Sequence, residues 1–245
     1  MAAEQRPELQ LLLDARAAAE ALAAAVELAV CWGAELRVGL MADEWLERVA
    51  ALPFATEVLF ATGAERRLSP EALAERARRR LERARSQLHR LAGGRVTCRF
   101  EERRALLEEA LASGRDLFLP PLGPRRLRFP SAHRSSLATV GWLWSGDEGS
   151  ARALGLLERL VASGATARVR IYALAPLPGR VLARLQDAGA RIAWSPTAPE
   201  ELPRLLRAAA DVDLVLLSTS LARRLGSSGL MALLQGAEAP LLVMA

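Results

Sequence analysis

Leu9-Gln10-Leu11-Leu12-Leu13, an Ala/Leu-rich run to Trp32, and Gly33-Ala34-Glu35-Leu36-Arg37-Val38 form the stretch that decides the fold. A short apolar run of this kind is the mark of a strand buried in a parallel sheet. Leu22, Val26, Ala29 and Val30 then recur at helical spacing, and Gly33 supplies the stop. The same order returns after residue 137: an apolar strand over 138–144, a helix over 150–163, then Gly164-Ala165-Thr166-Ala167-Arg168-Val169. The closing units also match, a helix over 105–114 before Asp116-Leu117-Phe118-Leu119 and one over 203–210 before Asp213-Leu214-Val215-Leu216-Leu217. Strand-helix-strand written twice predicts an α/β fold of two tandem domains, each a parallel open sheet with helices on both faces.

Ser69-Pro70-Glu71-Ala72 opens a long helix that ends at Gly93-Gly94. A strand is expected over 95–100 and a helix over 103–113. Residues 42–69 read as an irregular excursion with a turn or two of helix around Trp45, Leu46, Val49 and Leu52. Pro120-Pro121-Leu122-Gly123-Pro124 breaks the pattern, and nothing regular follows up to 136, so the first domain lacks its last helix and strand. The second adds strands near 168–174, 191–194 and 214–217, a final helix near 228–234, and the apolar end Pro240-Leu241-Leu242-Val243-Met244. The expected limits are domain one at 1–124, an Arg-rich linker at 125–137 and domain two at 138–245.

All 33 basic residues are arginine, and asparagine is also missing, which reads as the codon bias of a GC-rich bacterial genome. That composition excludes a Walker-type or Schiff-base lysine. Cys31 and Cys98 read as buried small hydrophobes, and the isolated His89 and His133 have no metal-ligand spacing, so no metal site is expected. The longest apolar runs fall far short of the ~20 residues of a membrane helix. The first seven residues carry no apolar signal core, so a cytoplasmic protein with no membrane contact is expected. The net charge of +5 is spread mostly over helices, where Glu71, Glu75 and the arginines from 76 to 85 read as a solvated face with i,i+4 pairs. Arg125, Arg126, Arg128 and Arg134 form the denser basic patch. It is a charged linker, or a contact for an anion, a partner or nucleic acid. Trp142 and Trp144 share one face of their strand, and with Trp194 they read as core or interface.

Leu11-Leu12-Leu13-Asp14, Gly33-Ala34-Glu35-Leu36, Asp213-Leu214-Val215-Leu216-Leu217 and Pro240-Leu241-Leu242-Val243 stand in the order of a tandem universal stress protein. The chain resembles that family over nearly its whole length except about 120–137 and 42–69. The resemblance implies an adenine-nucleotide alpha-hydrolase-like, Rossmann-like sheet in each half. It also implies an ATP site at the carboxyl ends of the strands, built from an Asp after strand one, a residue of strand two, and a Gly-x-x-Gly-(nine residues)-Gly-Ser/Thr loop after strand four. Asp14 and Val38 match the first two in the first half, whose loop is replaced by prolines that remove N–H donors. In the second half Ser145 stands where the acid should fall, with Asp147 two positions on. Ser218 and Leu221 replace the first two loop glycines, and only Gly226-Ser227, followed by Ser228-Gly229, survives.

The candidates for a nucleotide or anion are therefore Asp14, Val38, Ser145, Gly226, Ser227, Ser228 and Gly229. No cofactor is expected, with ATP or AMP as the alternative, and no catalytic constellation stands out. The reading is a non-catalytic, stress-linked regulatory or interaction module with degraded ATP loops. Its alternatives are a small-ligand binding protein using the remnant site and a nucleic-acid contact through the arginines of 125–134. The unpaired final strand predicts a homodimer through Leu241, Leu242, Val243 and Met244, besides a protein partner that the sequence does not name.

Overall fold

The computed structural model describes residues 7–13, 19–41, 44–59, 61–121, 137–202, 204, 211–236 and 239–245. Its first half runs β1 (Glu8–Leu13), α1 (Ala19–Trp32), β2 (Glu35–Met41), α2 (Glu44–Ala50), β3 (Thr56–Val58), β4 (Glu65–Arg67), α3 (Pro70–Ala92), β5 (Cys98–Ala105), α4 (Leu107–Ala112) and β6 (Asp116–Leu119). The second half runs β7 (Thr139–Trp144), α5 (Glu148–Ala162), β8 (Arg168–Ala173), α6 (Gly179–Asp187), β9 (Arg191–Pro196), β10 (Leu214–Ser218), α7 (Thr219–Gly236) and β11 (Leu241–Met244). Nine of these strands form one sheet in the order β5-β2-β1-β6-β11-β10-β7-β8-β9, while β3 and β4 pair as a separate hairpin.

The order is the same motif written outward from the centre twice. The first half contributes its third, second, first and fourth sheet strands, and the second half its fifth, fourth, first, second and third. Neighbours within each half are parallel. At the seam β11 runs antiparallel to β6, with Leu241 opposite Leu119, Leu242 opposite Phe118 and Val243 opposite Leu117. Thus β11 takes the place beside β6 where the described residues of the first half supply no fifth strand.

This corrects the expected dimer edge. Leu241–Val243 are paired on both sides by their own chain, Met244 is paired to Ser218 of β10, and all four are fully buried. The sequence shows the bare edge of each half but not that one edge satisfies the other.

Side chains alternate across the sheet as the pleat requires. Leu9, Leu11, Phe118, Trp142, Trp144, Leu214 and Leu242 pack beneath α1, α3, α5 and α6. Leu12, Leu117, Leu119, Leu143, Leu217 and Leu241 pack against α4 and α7. Trp142 and Trp144 do share a face and meet edge to face, with ring centroids 5.1 Å apart. Of the two expectations for Trp194, core or interface, the structure removes the first. The residue lies 54% exposed on β9, the outer edge of the sheet.

Polar contacts reinforce the seam. Arg152 of α5 donates to Asp116 Oδ2 at 2.7 Å and to the main-chain oxygen of Ala245 at 2.6 Å, while the Ala245 N–H donates to Asp116 Oδ1 at 2.8 Å. Burial pushes the Asp116 carboxyl above the usual range, and these donors oppose that shift without cancelling it. On the other layer Arg223 of α7 donates to the carbonyl of Leu111 at 3.0 Å.

Three element boundaries differ from the sequence reading. The strand expected over 95–100 lies at Cys98–Ala105, and the helix expected from 103 begins at Leu107. Glu101-Glu102-Arg103-Arg104 carries helical charge, but pairing with β2 past an irregularity between Val38 and Leu40 keeps it extended on an edge, where charged side chains are tolerated. The excursion at 42–69 contains α2 and the β3–β4 hairpin. The last helix starts at Thr219, directly after β10, and breaks at Gly226, whose φ of 68° is left-handed. The long helix keeps its expected start, with Ser69 Oγ accepting from the Ala72 N–H and Gly93 closing the far end.

Candidate functional site

In open α/β sheets a ligand crevice forms where the strand order reverses, at the carboxyl ends of the strands. In the second half that point lies between β7 and β10, which pair directly. Ser145 follows β7, Ser218 ends β10, and the first turn of α5 brings Asp147 and Ser150 beside them.

These four side chains close on one another. Asp147 caps α5, its Oδ1 accepting from the Ser150 N–H at 2.9 Å. Its Oδ2 accepts from Ser218 Oγ at 2.6 Å and from Ser145 Oγ at 2.8 Å. Ser150 Oγ accepts from the Ser145 N–H at 3.2 Å, and Ser218 Oγ from the Leu221 N–H at 3.1 Å. Ser145 Oγ lies 3.0 Å from both Ser150 Oγ and Ser218 Oγ.

The backbone is equally close. A Cβ on Gly149 would sit 2.8 Å from the Met244 carbonyl oxygen and 2.8 Å from Ser218 Cβ. These contacts lie where the resemblance implies a nucleotide.

The chemistry follows from that network. Burial alone raises the Asp147 carboxyl, but hydrogen bonds from Ser218, the Ser150 N–H and Ser145 outweigh it and hold the group below the usual range. A carboxylate held low is a poor general base at neutral pH. The stability contribution of Asp147 has a definite pH window. A depressed folded pKa adds stability above the unfolded value of about 3.9, and that stability is lost as pH falls through the folded value. Asp147→Ala is expected to cost about 2–3 kcal/mol near pH 7, from the lost cap and charge-assisted bonds. The gap to the parent should narrow below about pH 4. Urea unfolding at pH 7 and pH 3 measures both.

The other candidates are placed as follows. Val38 is fully buried in the core beneath α1 and α3. Gly226–Gly229 does open a helical segment, but Ser227 Oγ donates to Glu108 Oε1 at 2.9 Å, so this helix start already faces a carboxylate from α4. Asp14 and Arg125, Arg126, Arg128 and Arg134 lie outside the described residues.

The sequence reading treated Ser145 as a replaced acid. The missed element is that Asp147, Ser150 and Ser218 complete it. The signal was Ser145-Gly146-Asp147-Glu148-Gly149-Ser150, in which Asp three residues before Ser is a helix cap, while the partner Ser218 lies 71 residues from Asp147 and has no local signature. Among the described residues no group of three or more His, Cys, Asp or Glu can hold a metal, and no helix is long and apolar enough to cross a membrane.

No family model matches the chain, and no curated protein matches it. Among solved structures, a protein from the universal stress protein family from Burkholderia pseudomallei is similar over 78% of this chain and 96% of its own, at 16% identity and a TM-score of 0.25. The fold class, an α/β sheet with helices on both faces, rests on the strand order and register above.

Proposed function

We propose that this protein is a universal-stress-like, non-catalytic module that acts through protein contacts and holds no nucleotide in its second half. The observation that carries this reading is the closed crevice at β7 and β10. The side-chain oxygens of Ser145, Asp147, Ser150 and Ser218 there are already paired with one another or with backbone N–H groups. The doubled strand order supports the universal-stress-like assignment. An anion at Gly226–Gly229 is disfavoured by Glu108, which would repel it. With Leu241–Met244 inside the sheet, the edge left for a second copy in the second half is β9, with its exposed Trp194.

Calorimetric titration of the purified chain with ATP, ADP and AMP tests the proposal. No binding heat is expected up to 1 mM ligand, and no nucleotide should be extracted from the purified protein. Micromolar binding that survives Asp14→Ala would instead place a working site in the second half and overturn the reading.

A further inference from the structure

The charge of this protein is not evenly spread. Residues 56–92 carry nine arginines against five glutamates, a net of +4 beside +5 for the whole chain. The hairpin β3–β4 lies against the first half of α3, where Glu57 pairs with both Arg66 and Arg76. Between the two elements runs an open groove of about 390 Å³, lined by Arg66 and Arg67 of β4 and by Arg76, Arg79, Arg80 and Arg83 of α3. The four helix positions recur at i, i+3, i+4 and i+7, a single stripe roughly 10 Å long at 1.5 Å per residue.

Two acids meet these arginines: Glu57 holds Arg66 and Arg76, while Glu75 pairs with Arg79 in an exposed contact that contributes little and exchanges readily. Among the described residues Arg80 and Arg83 make no ion pair. Guanidinium forks in a row are suited to phosphate, which they bind bidentately.

We propose that this groove binds the phosphate backbone of a single-stranded nucleic acid. Its two walls admit a narrow chain, whereas a bilayer presents a plane. The exposed apolar residue Val58 does not turn the groove into a membrane surface. Glu57 points at α3, so its neighbour Val58 points to the other side of the hairpin.

The test is fluorescence anisotropy of the full chain with a labelled 20-nucleotide uridine strand. Four phosphate contacts on a single strand give an affinity that falls about fifty-fold between 50 and 200 mM salt. Arg79→Gln/Arg80→Gln/Arg83→Gln keeps good helix formers on an exposed face and is expected to bind at least ten-fold more weakly with an unchanged melting temperature. Arg125→Gln/Arg126→Gln/Arg128→Gln should bind within two-fold of the parent. No binding at 50 μM protein in 50 mM salt would overturn the proposal. So would loss of binding only in the 125–128 variant, or equal binding by the α3 variant. Capture by phosphatidylserine vesicles or an acidic peptide, with no strand binding, would assign the groove to another class of partner and equally overturn it.

Discussion

Leu242→Asp is expected to unfold both halves of the protein together. Leu242 is fully buried at the seam, paired to Leu216 of β10 on one side and to Phe118 of β6 on the other. Removing a buried leucine costs about 2–5 kcal/mol, and an unpaired buried charge adds several more. The sum approaches the ~5–15 kcal/mol that holds a domain together. Hydrogen exchange read by peptide should show β1 and β2 losing protection along with β10, although neither is a strand neighbour of β11. If β1 and β2 stay protected while β10 and β11 open, the halves are energetically separate and the seam is only a contact. Leu242→Val, which keeps the position apolar, is expected to stay within about 1.5 kcal/mol of the parent.

Gly149→Val is the second large effect, and its sign is opposite to that of a nearby glycine in the same helix. A Cβ at Gly149 meets the Met244 carbonyl oxygen and Ser218 Cβ at 2.8 Å each, and the first belongs to backbone that cannot swing away. Accommodating it means prying α5 from β10 and β11, at a cost of about 3 kcal/mol or more, the top of the range for overpacking. At about 2–4 °C per kcal/mol for a chain of this size, the melting temperature should drop by roughly 6–12 °C. Gly155 is the control, since a Cβ there meets nothing within 4 Å. Gly155→Ala should stabilise the protein by about 0.5–1 kcal/mol through helix propensity alone. Equal melting temperatures for Gly149→Val and the parent would mean that the crevice is roomier than its geometry implies.

What the sequence discloses and what it conceals divide along the range of the interactions. The cap at Ser69-Pro70 and the stop at Gly93 are local, and both were legible. So was the alternation that puts Trp142 and Trp144 on one face. The extension of β5 through Glu101-Glu102-Arg103-Arg104 was not, because its extended state comes from pairing with β2 rather than from its own residues. The candidate site was half legible. Ser145 and the thinned glycine loop follow from spacing, but its closure depends on Ser218 meeting Asp147 from 71 positions away. Longest of all in reach is the seam, in which a four-residue run at 241–244 finds a four-residue run at 116–119.

That pairing has a consequence for how the chain is made. Phe118 and Leu242 are opposite each other in the sheet yet 124 positions apart along the chain. A ribosome adding about 5–20 residues per second takes roughly 6–25 seconds to bridge that interval. For that time β6 is a finished strand with one side open, able to recruit any extended segment nearby, including the same strand on a neighbouring nascent chain. Pairing with β11, made 124 positions later, ends that exposure.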